Sequence, residues 1–338
     1  MRLAGWTRRR LKRWMKGSRA LYGLLRLAPT YPVILNYHSI RECPESVEHS
    51  IGCEITHSAA VFEQQMRLIA ERFAPVTLDE ILLSMHGKIK LPRRAVAVTF
   101  DDGYGDSYEI AAPILARHGV SAAFYVSTGP IRDGSEFWFV RLRHAFANAT
   151  TSHWEDPGTQ VVHSLADPAA RDKAYCAAGK LCALLVGDEQ YAMVDKIEAA
   201  LAIGVKLDQR FMLSWEQVAA LRQSGHIVGA HTRYHPNLAQ IDPDRALAEI
   251  AGSKADLEEA VGEPIMHFAY PTPFLIEPHY SENTIAMTRR LGFQTAATWL
   301  RGAVRRSSSA LALPRVAAPL DMEEFSWVLQ VNMLGYAT

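Results

Sequence analysis

One segment of the chain runs Val96-Ala97-Val98-Thr99-Phe100-Asp101-Asp102-Gly103-Tyr104. A short apolar, β-branched run that ends at a glycine predicts a buried strand. The two adjacent aspartates repel each other, and removing them from water is costly unless a cation or a proton lies beside them. A helix N-cap is the alternative interpretation, but one aspartate suffices for a cap and the second stays unexplained. The segment therefore predicts a buried strand with a charged site at its carboxyl end.

Similar apolar runs recur along the chain and alternate with helical patterns. The candidate strands are residues 33–37, 95–100, 121–126, 227–230, 265–270, 295–299 and 311–316. The candidate helices are residues 59–72, 78–85, 107–118, 215–223, 243–261 and 282–291. This alternation indicates β/α units and a mainly parallel sheet. Seven strands separated by helices predict a closed or nearly closed barrel, in which the chemistry gathers at the carboxyl ends of the strands.

Residues 131–212 interrupt the alternation. This segment contains helical patterns at about 168–185 and 189–202 and has no convincing strand. Elsewhere the helix signals are regular: Ser214 and Gln217 form a capping box, and Gly119, Gly225 and Gly292 each follow a helical run. We therefore predict that residues 31–338 form one barrel domain with a helical insertion at about 131–212.

The composition is that of a globular protein, but the charge is unevenly distributed. The chain has 338 residues, 49% of them hydrophobic, and a formal net charge of +0. Nine basic residues and no acidic residue fall within residues 1–40, which leaves 27 basic against 36 acidic side chains in the remainder. An acidic body is evidence against nucleic-acid binding. Four cysteines without a C-x-x-C pair form no disulfide framework, so we expect buried thiols and a reducing compartment.

Residues 1–30 form a basic, amphipathic N-terminal segment. Five apolar residues recur near helical spacing, with cations on the other faces: Leu11, Trp14, Met15, Tyr22 and Leu25. This pattern suits a helix that lies on an anionic membrane through residues 1–27, and the alternative is a helix packed on the acidic surface of the body. The apolar run is too short for a spanning helix and lacks a cleavage site, so we expect a cytoplasmic protein at the inner face of the membrane.

A second signal follows the strand at 227–230. It reads His231-Thr232-Arg233-Tyr234-His235-Pro236. Two histidines four residues apart are more often an ordinary core or surface feature, but at a strand end they can offer two imidazole nitrogens to one metal. Together with one carboxylate they give three protein ligands and an open position, which is typical of a catalytic metal site. The same ligand set also occurs in non-haem iron oxygenases, which remain an alternative.

Three motifs, in this order, carry a resemblance to a known family. They are Thr99-Phe100-Asp101-Asp102-Gly103, His231-Thr232-Arg233-Tyr234-His235 and Phe268-Ala269-Tyr270-Pro271, with outlying similarities at Asn36-Tyr37-His38-Ser39-Ile40 and Leu313-Pro314-Arg315-Val316. The chain resembles the polysaccharide deacetylases with a NodB homology domain, also called carbohydrate esterase family 4, over about residues 33 to 320. The resemblance implies an α/β fold, a distorted (β/α)7-type barrel related to the TIM barrel. It also implies hydrolysis of an N-acetyl or N-formyl group on an amino sugar.

The resemblance also implies roles for individual residues. Asp102, His231 and His235 bind a divalent metal, with Zn2+ the first expectation and Co2+, Mn2+ or Ni2+ as alternatives. Asp101 is the general base that takes a proton from the attacking water. The backbone N–H of Tyr270 donates to the oxyanion.

The sequence departs from the family pattern at the proton donor. No histidine follows His279, where many relatives have a late catalytic histidine, and Tyr270-Pro271 is not followed by glycine. His38 lies just beyond an early strand and is therefore a candidate for entering the site, although a core or hydrogen-bonding role is the better explanation for both His38 and His267. Arg315 is expected to orient Asp101 through a charge-assisted pair. The departure keeps a further alternative open, a catalytically silent partner protein at the membrane. Among other aromatic residues, Phe137, Trp138 and Phe139 either pack the insertion on the barrel or line a sugar subsite.

The expected substrate is a carbohydrate with an N-acylated amino sugar. Without a secretion signal, a cytoplasmic precursor in surface-polysaccharide synthesis is favoured, either lipid-linked or nucleotide-linked. The basic segment at residues 1–27 motivates the lipid-linked version.

Overall fold

The computed structural model describes residues 29–47, 50–205, 207 and 211–337. The predictions for the N-terminal segment, residues 1–28, lie outside this range. Within the described ranges, none of the helices combines the length and the apolar character that crossing a membrane requires.

The described residues form twelve strands and eleven α-helices. The strands are β1 (Val33–Tyr37), β2 (Ser39–Arg41), β3 (Thr56–Ser58), β4 (Ala74–Pro75), β5 (Ala95–Phe100), β6 (Ala122–Val126), β7 (His153–Glu155), β8 (Val162–Ser164), β9 (Ile227–Ala230), β10 (His267–Ala269), β11 (Thr295–Arg301) and β12 (Leu313–Ala317). The helices are α1 (Ala59–Arg72), α2 (Leu78–Met85), α3 (Ala112–Arg117), α4 (Gly129–Asp133), α5 (Trp138–Ala147), α6 (Pro168–Cys182), α7 (Asp188–Leu201), α8 (Trp215–Gln223), α9 (Pro243–Val261), α10 (Glu282–Arg290) and α11 (Met322–Met333). Shorter 3-10 turns lie at Pro44–Val47, Cys53–Ile55 and Pro273–Leu275, and a π-helical turn at Ser107–Ala111 precedes α3.

Seven parallel strands close into a barrel. Their order is β1-β12-β11-β10-β9-β6-β5, and β5 pairs back with β1 in register from Val33↔Val96 to Tyr37↔Phe100. The two-residue strand β4 extends the sheet beside the start of β5. All residues of β1 and β5 are buried, as expected for parallel strands covered on both faces. The predicted seven-stranded barrel is therefore confirmed.

The alternation of side chains along the strands builds the barrel interior in layers. Ile34, Ala97 and Leu313 belong to one small apolar cluster inside the barrel. Two residues further along the same strands, the side chains are polar: Asn36, Thr99 and Arg315. These three side chains are buried and bond to one another. The carboxyl end of the barrel is therefore lined by polar groups above an apolar floor.

The observed elements follow the sequence predictions closely at most positions. Seven predicted elements have the observed bounds: Val33–Tyr37, Ala59–Arg72, Leu78–Met85, Ala95–Phe100, Trp215–Gln223, Ile227–Ala230 and Pro243–Val261. The capping box of Ser214 and Gln217 is present. Gly119, Gly225 and Gly292 take positive φ angles of 63°, 84° and 80°, which glycine adopts without a steric penalty. The strand predicted at 265–270 is shorter, because pairing with β11 spans only His267–Ala269.

The insertion between β6 and β9 has its own apolar core, built around Trp138, Phe146 and Trp154. The prediction that it contains no strand is wrong, because β7 and β8 form an antiparallel hairpin there. Asp156 shapes the hairpin loop by accepting bonds of 2.8 Å from the backbone N–H of Gly158 and the hydroxyl of Thr159. Each strand has only three residues, mostly polar on the exposed face, so the apolar alternation that identifies a strand is missing.

Two cysteines depart from the expected burial. Cys43 and Cys176 are exposed, whereas Cys182 is buried. The prediction of buried thiols is therefore wrong for the first two and confirmed for the third.

Candidate active site

The three predicted metal ligands meet at the carboxyl end of the barrel. Asp102 follows β5, and His231 and His235 follow β9. The Nε2 atoms of His231 and His235 lie 3.5 and 3.4 Å from Oδ1 of Asp102. All three residues are buried, and among the described residues they form the one group of three that could hold a metal ion.

The hydrogen bonding of the histidines suits a cation at this point. Nδ1 of His231 lies 2.8 Å from the carbonyl oxygen of Ala269, which can only accept, so Nδ1 donates and Nε2 is the ring nitrogen directed at Asp102. Burial lowers the pKa of His235 to about 4, and its ring is therefore neutral near pH 7. Two imidazole nitrogens then face a carboxylate oxygen. Tetrahedral zinc with ligands at ~2.1 Å separates them by ~3.4 Å, close to the observed distances. The donor set and its spacing fit a divalent metal.

The backbone around these ligands is in an unfavourable conformation. Asp102, Thr232 and His235 have φ angles of 74°, 64° and 56°, in the left-handed region that non-glycine residues rarely occupy. Gly103 also has a positive φ of 89°, and a Cβ atom there would lie 2.9 Å from Cγ1 of Val126. Such strain persists where the surrounding structure fixes it, and it clusters at functional sites.

Asp101 lies next to the metal ligands and forms a buried ion pair with Arg315. Nη1 and Nη2 of Arg315 lie 2.6 and 2.7 Å from the two carboxylate oxygens of Asp101. Burial alone would raise the pKa of Asp101, but the charges of Arg315 and His231 outweigh it and hold this pKa well below its usual range. Arg315 thus makes the predicted charge-assisted pair with Asp101, while a role for either residue in turnover stays a prediction.

Asn36 is a site residue that the sequence analysis did not single out. Its Nδ2 donates to Oδ2 of Asp101 at 3.2 Å, and its Oδ1 accepts from Nη1 of Arg315 at 3.0 Å. The signal lies in the alternation of β1, because Asn36 shares a face with the interior residue Ile34. Asn36 therefore links the two members of the ion pair and fixes their orientation.

The structure separates the two histidines considered as proton donors. His38 directly follows β1, is half-buried, and its charge helps lower the pKa values of Asp101 and Asp102. His267 lies at the amino end of β10, where Nδ1 is 2.8 Å from the hydroxyl of Thr295 and Nε2 is 3.1 Å from Asp79. The interpretation of His267 as a core residue is confirmed, and His38 remains the candidate near the site.

The assignment of Tyr270 as the oxyanion donor is wrong in this structure. Its backbone N–H donates to the carbonyl oxygen of Ala297 at 3.0 Å. Its hydroxyl donates to the carbonyl oxygen of Leu311 at 3.1 Å, and its side chain is buried. The bonding between the neighbouring chains of β10 and β11 continues past the end of β10, so this N–H is already used by the barrel.

The three consecutive aromatic residues of the insertion have different positions. Phe137 and Trp138 are fully buried, so the packing interpretation holds for them. Phe139 is partly exposed, and the centre of its ring lies 5.3 Å from that of His235. Phe139 therefore lies beside the candidate metal site with part of its side chain exposed.

A further buried carboxylate, Asp106, lies on the loop that follows the two aspartates. Its Oδ2 accepts from the hydroxyl of Ser39 at 2.6 Å and lies 2.9 Å from Nε of Arg41. Glu109 also acts on Asp106 electrostatically, as does the hydroxyl of Tyr104. Burial outweighs the favourable charge of Arg41 and raises the pKa of Asp106 to about 6.

Comparisons with known proteins agree with this site. Residues 88–171 and 188–296, more than half of the chain, match the family described as polysaccharide deacetylase. A "Putative polysaccharide deacetylase YxkH" from Bacillus subtilis (strain 168) is 21% identical over 284 residues, covering 84% of this chain and 70% of that protein.

Solved structures show the same fold. The Streptococcus pyogenes deacetylase PplD in complex with acetate matches with a TM-score of 0.60 and 20% identity, over 90% of this chain and 99% of that one. IcaB from Ammonifex degensii matches with a TM-score of 0.56 and 21% identity, over 89% and 97% of the two chains. The chain belongs to the polysaccharide deacetylase family, a family of enzymes that hydrolyse amide bonds.

Proposed function

We propose that this protein is a divalent-metal-dependent deacetylase that removes an N-acetyl group from an amino sugar, with N-formyl as the alternative. The observation that carries the proposal is the meeting of three metal-ligand atoms beside a buried Asp–Arg pair at the carboxyl end of the barrel. Oxygen and nitrogen ligands with an open position suit Zn2+, and Co2+, Mn2+ or Ni2+ are alternatives.

The residues of the site divide the chemistry among them. Asp102, His231 and His235 hold the metal, which when bound supplies a Lewis acid and makes water a nucleophile near neutral pH. Asp101 accepts the proton of the attacking water, since its carboxylate is ionised and buried beside the ligands. Arg315 and Asn36 keep that carboxylate charged and in one orientation.

His38 is the proposed proton donor to the leaving amine. Support comes from its position, because the backbone N–H of Asp101 donates to the carbonyl oxygen of Tyr37, the residue before His38. His57 lies nearby, and burial lowers its pKa to about 4, so His57 is neutral near pH 7 and adds no charge. His38 is the more exposed of the two and is better placed to exchange protons with solvent.

The proposed substrate is a carbohydrate that carries an N-acylated amino sugar, in a polymer, a glycolipid or a sugar precursor. The acetate complex of the PplD deacetylase is consistent with this chemistry. Phe139 offers a partly exposed ring beside His235 for contact with the sugar or the acyl group. We also propose a cytoplasmic protein that touches anionic membranes through residues 1–27. Failure to sediment with anionic vesicles at low salt would remove the membrane contact.

The test is an assay of acetate and formate release from nucleotide-linked, lipid-linked and polymeric amino sugars. Protein stripped of metal should be inactive, and Zn2+ or Co2+ should restore release without oxygen. A strict requirement for Fe(II) and oxygen would instead establish the oxygenase alternative. If metal-loaded protein released neither acid from any of these sugars, the deacetylase proposal would fail and the silent partner protein would stand.

A further inference from the structure

The turn between the two histidine ligands is held by residues from distant parts of the chain. The segment from the end of β6 to the first helices of the insertion donates to three consecutive carbonyl oxygens of this turn. The backbone N–H groups of Thr128 and Gly129 donate to the carbonyl oxygens of Thr232 and Arg233, at 3.2 and 2.9 Å. Nε1–H of Trp138 donates to the carbonyl oxygen of Tyr234 at 3.0 Å. Each backbone carbonyl group between the two histidine ligands therefore accepts a hydrogen bond from outside the turn.

The amide side of the same turn is bound by another element. Oε2 of Glu249, on α9, accepts from the backbone N–H of Tyr234 at 2.7 Å. Glu249 is 3% exposed, so this bond is shielded from water. Tyr234 directly precedes His235, and its N–H and C=O are thus held by Glu249 on one side and by Trp138 on the other.

The turn needs such support because its conformation is unfavourable. Thr232 is β-branched and has a φ of 64°, and His235 has a φ of 56°. Within the turn itself, the N–H of His235 donates to Oγ1 of Thr232 at 3.0 Å, and the hydroxyl of Thr232 donates to the carbonyl oxygen of His231. External hydrogen bonds in a dry environment can hold such a conformation, and losing them lets the backbone relax toward commoner angles.

We propose that Trp138 and Glu249 are positioning residues of the metal centre, which fix the peptide before His235 and thereby the distance of its imidazole from Asp102. This inference rests on the proposed metal dependence. It assigns a role to the insertion: Trp138 begins α5, so the insertion supplies part of the framework of the metal site. Glu249 supplies the other part from the barrel helix α9.

The contact of Trp138 can be separated from its packing. Its ring is fully buried against Phe139 and Phe274, so truncation would disturb the core. W138F keeps an aromatic ring and removes the N–H donor. W154F is the matched control, since Trp154 is buried in the same core against Phe146 and lies on the hairpin.

The contact of Glu249 is tested by two substitutions of similar size. E249M removes the acceptor, whereas E249Q keeps a carbonyl oxygen that can accept from the N–H of Tyr234. Glu258 on the same helix pairs with Lys254 away from the turn, so E258Q is the control for loss of a charge on α9.

The experiment measures Co2+ binding to the full chain, by competition with a chelator and by the visible absorption of bound Co2+. Outer-shell partners typically change metal affinity ~10- to 100-fold. We expect W138F and E249M to weaken Co2+ binding ~10- to 100-fold and to alter the absorption spectrum. E249Q, W154F and E258Q should stay within ~3-fold of the wild type.

Three results separate the possible failures. Wild-type affinity and spectrum in folded W138F would overturn the role of Trp138, and the same result in E249M would overturn that of Glu249. Equal weakening in W154F would assign the effect to the stability of the insertion and would also overturn the proposal for Trp138. If the wild type itself bound no Co2+, the proposed metal dependence would fail instead. Near-ultraviolet circular dichroism of the metal-free variants identifies any that lose the fold, and if E249M does so, E249A, which removes the same acceptor without adding a bulky side chain, is measured in its place with the same two outcomes.

Discussion

Replacing Arg315 with methionine should destabilise the fold strongly, because it leaves the carboxylate of Asp101 buried without its cation. Asp101 and Arg315 are 4% and 3% exposed, and two hydrogen bonds of 2.6 and 2.7 Å join them. After the substitution Asp101 keeps the bond from Asn36, a neutral donor at 3.2 Å. Methionine is similar in length and apolar, so the change removes charge and hydrogen bonds more than volume.

The magnitude follows from the burial of the pair. With an effective dielectric constant of ~20, two charges ~4 Å apart attract by ~4 kcal/mol. Removing one partner of a buried pair typically costs ~3–5 kcal/mol, since the other charge is left uncompensated. We therefore expect R315M to lower the free energy of unfolding by ~3–5 kcal/mol. D101N should also be destabilising, because it leaves the guanidinium without its counterion.

A double-mutant cycle isolates the interaction between the two side chains. In D101N/R315M both charges are absent. The decrease in its free energy of unfolding should therefore be smaller than the sum of the decreases in D101N and R315M by at least ~3 kcal/mol. Urea unfolding of the metal-free proteins, followed by tryptophan fluorescence, supplies the four free energies. Arg245 and Glu189 form a bidentate pair at the surface, each about half exposed, and the same cycle there should give less than ~1 kcal/mol. A coupling at Asp101 and Arg315 as small as that of the surface pair would refute the reasoning.

Three further predictions concern single side chains. Because burial raises the pKa of Asp106 to about 6, the folded state holds a proton that the unfolded state releases, so stability falls as pH rises from ~4 to ~6. In urea unfolding, the free energy of unfolding of D106N should therefore rise by ~3 kcal/mol relative to that of the wild type between pH ~4 and ~6. A difference between the two proteins that does not change with pH would contradict the prediction. G179A should lower the free energy of unfolding by ~1–3 kcal/mol, measured by urea unfolding, because its Cβ would lie 2.0 Å from Cζ of Phe274. A stabilised G179A would show that this ring moves freely. F139A should raise KM ~3- to 10-fold in steady-state assays with little change in Co2+ affinity, and an unchanged KM would place the substrate elsewhere.

The main motifs of the site were predictable because the carboxyl ends of parallel strands lie at the same end of a barrel. Once the apolar run before Asp101 and Asp102 and the run before His231 are identified as strands of one barrel, their carboxyl ends must lie on the same face. The prediction then needs only residue types and chain order. The burial and the spacing of Asp102, His231 and His235 agree with that expectation.

Residues that act from a distance were not predictable from local pattern. Trp138 and Glu249 lie 96 and 15 positions from Tyr234 in sequence, and each contacts a backbone atom. Because nearly every residue has the same backbone N–H and C=O groups, a side chain's bond to the backbone cannot be recognised from the type of the bonded residue. Asn36 has the same difficulty, since its role depends on which face of β1 lines the barrel interior.

Two of the errors, the role of Tyr270 and the missed hairpin, have a common cause in strand pairing. The N–H of Tyr270 is used by Ala297 because the bonding to the next strand continues past β10, and no sequence pattern fixes where such bonding stops. The β7–β8 hairpin is held by its own ladder and by Asp156 in its loop, while its strands lack apolar alternation.

The most direct test of the proposed mechanism measures both acetate release and the amount of bound metal per chain for D101N. Asp101 is not among the three ligands, so D101N should bind as much metal as the wild type. Loss of a general base typically costs a factor of ~100 to 10,000, and we expect release from an N-acetylated amino sugar to fall at least ~100-fold. Wild-type turnover by metal-loaded D101N would contradict the assignment of Asp101 and the mechanism built on it.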